Sequence, residues 1–141
     1  MAQNTHMAAR MFAAAPEPRL NGQLLGARLV GHGVMADVVI AATPSGLPAA
    51  CEVARLLRAP MDAAAAAELF RYEETLQGDL SRARVVIVDD VMVSGAAMKA
   101  AVESARGRGA GQIVIAVSAA SPRAVEAMLP LVQSVHTLSR T

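Results

Sequence analysis

Asp89 and Asp90 are adjacent acids that directly follow four β-branched apolar residues, Val85, Val86, Ile87 and Val88. A short turn separates them from Ser94-Gly95, which opens an alanine-rich helical segment. Paired carboxylates accept hydrogen bonds from vicinal hydroxyls, or reach a hard cation such as Mg²⁺. The start of a helix offers free amide N–H groups that favour an anion, phosphate above all. Together they suit a sugar phosphate. In an open α/β sheet, ligands bind beyond the carboxyl ends of the strands, which is where this stretch would put both groups.

The pair has two other readings. Acids at a strand end can simply be solvated or cap the next turn, but two of them directly after four buried residues are costly without a purpose. A phosphoacceptor receiver domain also carries an acid pair at a strand end, with a further Asp about 45 residues on. Here the pair comes late and no Asp follows Asp90, so that reading fails. Ribose binding remains, with the 5′-phosphate over Ser94, Gly95, Ala96 and Ala97; Gly95 allows close backbone approach and Ser94 adds a hydroxyl donor.

The elements that must hold these groups alternate. Arg19 to His32 reads as an amphipathic helix with Leu20, Leu24, Leu25 and Leu29 as its apolar positions. Asp37 to Ala42 reads as a buried strand, followed by the turn-forming run Thr43-Pro44-Ser45-Gly46-Leu47-Pro48 and a helix over Ala49 to Arg58. Met61 to Ala66 is read as a short strand against the helix propensity of its alanines. Phe70 to Arg84 is the most polar segment and reads as an exposed connection that could cover a site. Val85 to Val88 is the central strand, Gly95 to Arg106 a helix and Gln112 to Ser118 a strand. Pro122 to Leu129 is a helix capped by Ser121, and Val132 to Leu138 a final strand. The expected fold is α/β: a doubly wound, mainly parallel sheet of about five strands with helices on both faces.

At 141 residues the chain allows one core, assigned to residues 19–141 after an arm over residues 1–18. Met1 to Met7 reads as an irregular leader, its His6-Met7 junction of the kind a cloning site leaves. Aromatic residues are only 2% (Phe12, Phe70 and Tyr72), which leaves little to grip a base between two rings. A net charge of +1 gives no global field for nucleic acid, so none is expected as a partner. No apolar run reaches the roughly 18 residues of a membrane span, so no membrane partner is expected. Cys51 is the single cysteine, which fits a reducing cytoplasm, and is expected on a helix facing other apolar groups. His6, His32 and His136 show no metal-ligand spacing.

The run from Val85 to Ala97 resembles the phosphoribosyl-pyrophosphate (PRPP) motif of the type I phosphoribosyltransferases: apolar residues, two acids, a few variable residues, then Ser-Gly and small residues. Pro44-Ser45-Gly46-Leu47-Pro48 ahead of Glu52-Val53-Ala54 is similar to the loop and helix of bacterial stand-alone phosphoribosyltransferase-domain proteins. The likeness runs from about Arg19 to Leu138. It implies that Asp89 and Asp90 hold the ribose hydroxyls and that Val91, Met92, Val93, Ser94, Gly95, Ala96 and Ala97 form the 5′-phosphate loop. It places Ser45 and Gly46 in the pyrophosphate loop, and Mg²⁺ arrives with PRPP, reached by Asp89 and Asp90 through water if at all. Arg71 and Tyr72, with Glu74, are the candidates to close over the substrate. The implied reaction transfers phosphoribosyl from PRPP to a nitrogen acceptor, a nucleobase, with release of pyrophosphate; a homodimer is also implied. Several positions depart from the family pattern. Ser45 stands where relatives often carry Arg, Ala97 replaces a common Thr, and Val93 stands where purine-salvage members often carry Asp. Little chain is left for the hood that recognises the base. These departures keep open an alternative, a PRPP- or nucleotide-binding regulatory domain with weakened catalysis.

Overall fold

The computed structural model describes residues 17–62 and 80–140. Their order is α1 (Pro18–Gly31), β1 (Val38–Ala41), a 3₁₀ turn (Pro44–Gly46), α2 (Leu47–Leu57), β2 (Met61–Asp62), β3 (Arg84–Met92), α3 (Ala96–Gly107), β4 (Gln112–Ala120), α4 (Pro122–Met128), a second 3₁₀ turn (Leu129–Leu131) and β5 (Ser134–Arg140). The five strands form one parallel sheet in the order β2-β1-β3-β4-β5. This is the α/β architecture that the alternating pattern predicts.

Both faces of the sheet are covered, so the central strands read as continuous apolar runs. Val85 and Ile87 of β3, with Ile113, Ile115 and Val117 of β4, pack beneath Met98 and Val102 of α3 and Val125 and Met128 of α4. Val86, Val88, Val114 and Ala116 face the other way, toward Leu25 and Leu29 of α1 and Ala49, Val53 and Ala54 of α2. At the start of the strands, Arg84 forks onto Asp37 through bonds of 3.0 and 2.8 Å, which locks β1 beside β3. The guanidinium holds the Asp37 carboxyl down at about 2.

The strands run further than the apolar residues alone suggest. β3 passes through both acids to Met92, because β4 also continues and pairs Val91 with Ala119 and Met92 with Ala120. Leu80, expected in an exposed connection, is buried in the core, and its amide donates to the carbonyl of Arg108. Of the strand expected over Met61 to Ala66, Met61–Asp62 forms β2; residues 63–66 and 70–79 lie outside the described residues.

Two helix faces differ from expectation. The buried side of α1 is Asn21, Gly22, Leu25, Gly26 and Leu29, while Leu20 and Leu24 stay 48% and 50% exposed. The cause is the closeness of α2. A Cβ on Gly22 would lie 2.6 Å from the carbonyl oxygen of Ala49, and one on Gly26 would lie 2.6 Å from a methyl of Leu56. Glycines thus form the contact surface that leucine periodicity suggested, and Glu52 clamps it by pairing with Arg55 (2.8 Å) and Arg19 of α1 (3.5 Å). Cys51 is exposed, because the inward side of α2 is taken by Ala49, Ala50, Glu52, Val53 and Ala54.

Candidate functional site

The carboxyl ends of β1 and β3 lie side by side, with Ala41 opposite Val88. Beyond them the chain leaves β1 through Thr43 into the 3₁₀ turn, and leaves β3 through residues 93–95 into α3. Asp89 sits between the two exits, only 5% exposed. Its Oδ1 accepts from the Thr43 hydroxyl at 2.7 Å and from the Asp90 amide at 2.9 Å. Thr43 in turn shares a 2.8 Å hydrogen bond with the Ser45 hydroxyl. Gly46 is required where the turn crosses β3: a Cβ there would lie 2.9 Å from Asp89 Oδ1 and 3.0 Å from the Val88 carbonyl oxygen.

The loop after β3 encloses a recess of about 280 Å³ lined by Asp89 and by residues 91–98. Gly95 takes φ +82° at the N-cap of α3, a conformation that favours glycine, and supplies no side-chain cap. The first amides of α3 therefore look for partners. Ser94 Oγ meets one of them, Ala96 N–H, at 3.2 Å. Ser121 fixes the loop from outside: its hydroxyl donates to the Val93 carbonyl at 2.7 Å and accepts from the Ala124 amide at 3.1 Å, and its own amide donates to Met92 O at 3.0 Å.

Consecutive strand residues face opposite ways, so the two acids diverge. Asp89 lines the recess and Asp90 does not. Asp90 Oδ1 is buried without a hydrogen-bond partner. Burial pushes the Asp89 carboxyl above its usual range, against the opposing pull of Thr43 and the Asp90 amide. Asp90 is also pushed up, first by burial and then by the neighbouring Asp89 charge. At both acids burial disfavours the charged form, a penalty that a hydroxyl donor or a cation would offset.

The structure thus brings Asp89, the loop over Val91 to Ala97, Ser45 and Gly46 to one end of the sheet, with Asp90 on its far side. Arg71 and Tyr72 lie outside the described residues. Thr43 and Ser121 were legible only as a turn residue and a helix cap, yet each bonds directly to the site. Their one sequence signal is position, since each lies within two residues of the end of a strand that pairs with β3.

Residues 27–135 match the family profile described as "Phosphoribosyl transferase domain". The chain belongs to that family. Among solved structures, the phosphoribosyl transferase chain is similar to TT1426 from Thermus thermophilus at 25% identity, covering 88% of this chain and 83% of that one, with a TM-score of 0.73. It is also similar to a purine phosphoribosyltransferase from Pyrococcus horikoshii (24% identity, 90% and 84% covered, TM-score 0.65). An orotate phosphoribosyltransferase from Aeropyrum pernix follows (21% identity, 84% and 68% covered, TM-score 0.61). The last two likenesses speak for the fold. No curated protein matches the chain. For a phosphoribosyl transferase domain the ligand is a small molecule, and no helix among the described residues is long and apolar enough to cross a membrane.

Proposed function

We propose that the protein binds PRPP and transfers its phosphoribosyl group to the nitrogen of a nucleobase, with release of pyrophosphate. The observation that carries this reading is the recess in which the fixed Asp89 carboxylate faces the amide-rich turn at Gly95. The turn suits the 5′-phosphate and the carboxylate suits a ribose hydroxyl, so the sugar phosphate is held at both ends. Ser45 and Gly46, across the β1 exit, would meet the pyrophosphate. Holding the sugar at both ends fixes C1 for attack, and that positioning is the main contribution of this chain to the rate. Among the described residues no group of three or more His, Cys, Asp or Glu is placed to hold a metal. Two carboxylates with hard oxygens fit a Mg²⁺ that comes in on PRPP, whose role would be to offset charge on the leaving pyrophosphate. Asp89 and Asp90 would then act on it through water. The same reading takes the protein as cytoplasmic and homodimeric; the half-exposed Leu20 and Leu24 on α1 support a partner copy, and sedimentation tests it.

One observation favours a second reading, a PRPP- or nucleotide-binding regulatory domain. Ser45 turns its hydroxyl to Thr43, and no cation lines the recess among the described residues. Leaving-group stabilisation by a charge-assisted bond is then missing from this part of the site. Calorimetry of PRPP with Mg²⁺, on the wild type and on the double variant Asp89→Asn/Asp90→Asn, tests both readings. Heat with the wild type that is lost in the variant is expected, and no heat with the wild type sinks both. Pyrophosphate release across a nucleobase panel then separates enzyme from regulator.

A further inference from the structure

Among the described residues, three buried side-chain atoms have no hydrogen-bond partner: Asn21 Nδ2, Asp90 Oδ1 and Ser118 Oγ. They come from α1, β3 and β4, and the fold brings them to one level. Asp89 pairs with Val117 and Val91 with Ala119, so Asp90 stands level with Ser118 on the neighbouring strand. Adjacent strands are about 4.8 Å apart. By the two-residue alternation, Asp90 continues the face of Val86 and Val88, and Ser118 continues the face of Val114 and Ala116. That face packs against Leu25 and Leu29 of α1.

Asn21, Leu25 and Leu29 are four residues apart, on one side of the helix. α1 leads by a short link into the start of β1, so it runs against the strands. Four helical residues rise about 6 Å. Two strand residues rise about 6.6 Å. The two ladders keep step, and Asn21 falls beyond Leu25 toward the acid end of the sheet. Gly22 gives an independent check. It abuts Ala49 in the first turn of α2, directly after Gly46, and Gly46 abuts Asp89.

We propose that Asn21 and Ser118 are positioning residues for Asp90. The three side chains form one polar cluster beneath the sugar site, between α1 and the sheet. The chemistry is complementary: the Asn21 amide and the Ser118 hydroxyl are donors, and the carboxylate oxygen is an acceptor. None of the three bonds another directly, so the bonds close through a single ordered water, for which three polar partners suffice. Anchoring the inner oxygen of Asp90 fixes the half-buried carboxylate at the acid end of the sheet. Asn21 is 5% exposed and Ser118 is fully buried, so neither reaches a ligand itself.

The test reads the side-chain amide resonances of Asn21 in ¹⁵N-labelled protein, compared among wild type, Asp90→Asn and Ser118→Ala. Both substitutions are expected to move that resonance pair, with the rest of the spectrum remaining folded. If neither moves it, the cluster does not exist. A second arm measures PRPP affinity in the presence of Mg²⁺ and rests on the proposed function. Ser118→Ala is expected to weaken binding about tenfold, the loss of roughly one hydrogen bond to a charged group, with the unfolding midpoint nearly unchanged. Equal affinity in wild type and Ser118→Ala overturns the positioning role. If the wild type binds no PRPP, the proposed function fails and the resonance comparison alone decides the cluster.

Discussion

Replacing Gly22 with alanine tests how tightly the site depends on the α1–α2 contact. The added Cβ would lie 2.6 Å from Ala49 O, 2.7 Å from Ala49 Cα and 2.9 Å from Glu52 Cβ. Two of these are backbone atoms, which cannot rotate away. Restoring ordinary contact at about 3.5 Å requires the helices to part by about 1 Å. Overpacking of this kind costs about 3 kcal/mol at the upper end, because the obstacle is rigid. Alanine recovers about 1 kcal/mol of helix propensity relative to glycine. The expected net loss is about 2 kcal/mol, a fall in Tm of roughly 6–8 °C for a domain of this length. Gly31→Ala is the control, since a Cβ there meets nothing within 4 Å and should leave stability equal or slightly raised. Gly26→Ala should fall between, because it meets the movable tip of Leu56. Thermal and urea unfolding followed by circular dichroism read all three. A Gly22→Ala protein as stable as the wild type would refute the close-packing account. Parting the helices also displaces the start of α2 and with it Ser45 and Gly46, so PRPP affinity should fall together with stability.

Gly46→Ala should reduce PRPP affinity at least tenfold by calorimetry, since its Cβ would press on Asp89 and on the Val88 carbonyl; unchanged affinity would show that the turn yields. Thr43→Val removes the 2.7 Å bond to Asp89 and should weaken PRPP binding about fivefold, the worth of about 1 kcal/mol, while the fold persists. His136 is held below its ordinary pKa by burial, then by His32 and Arg28. Unfolded His takes up its proton near pH 6.5 and folded His136 does so only at lower pH, so stability should drop as pH falls through 6.5 and level off below the folded pKa. His136→Gln should flatten that slope in urea midpoints between pH 7.5 and 5.5; an unchanged slope would place its origin elsewhere.

The β-branched runs made β1, β3 and β4 legible, because a sheet covered on both faces asks for apolar residues at every position. Their ends were less so. Asp89 to Met92 mixes acids with apolar residues, and only pairing with β4 keeps it extended. The inward face of α1 was read correctly at Leu25 and Leu29 but not at Leu20 and Leu24, because periodicity weighs leucines, whereas the neighbouring helix selected the glycines. Cys51 was misjudged for a related reason: α2 has enough alanine and valine to fill its inner face, so the cysteine is turned outward. Leu80 lies in a polar stretch, and its burial depends on a bond to Arg108, which local composition cannot reveal. The acid pair and phosphate loop were legible because one contiguous stretch carries them. The ties of Thr43 to Asp89 and of Ser121 to Val93, and the approach of His32 to His136, whose ring centres are 5.2 Å apart, join distant segments, so local signals showed Thr43 only as a turn residue and Ser121 only as a cap.

That dependence on distant segments has a kinetic consequence. Asp89 is held by a residue 46 positions earlier in the chain, and the loop carbonyl at Val93 by one 28 positions later. Neither tie can form until β1, β3 and β4 have closed their long crossovers, the slow part of assembling a parallel sheet. Strand β3 alone, or with only one neighbour, holds the acids without their supports. A ligand that recognises the finished recess binds the folded chain alone and draws the population toward it by mass action. Recovery of binding after dilution from denaturant would therefore lag behind recovery of helix signal, and the lag would measure the docking of the three central strands.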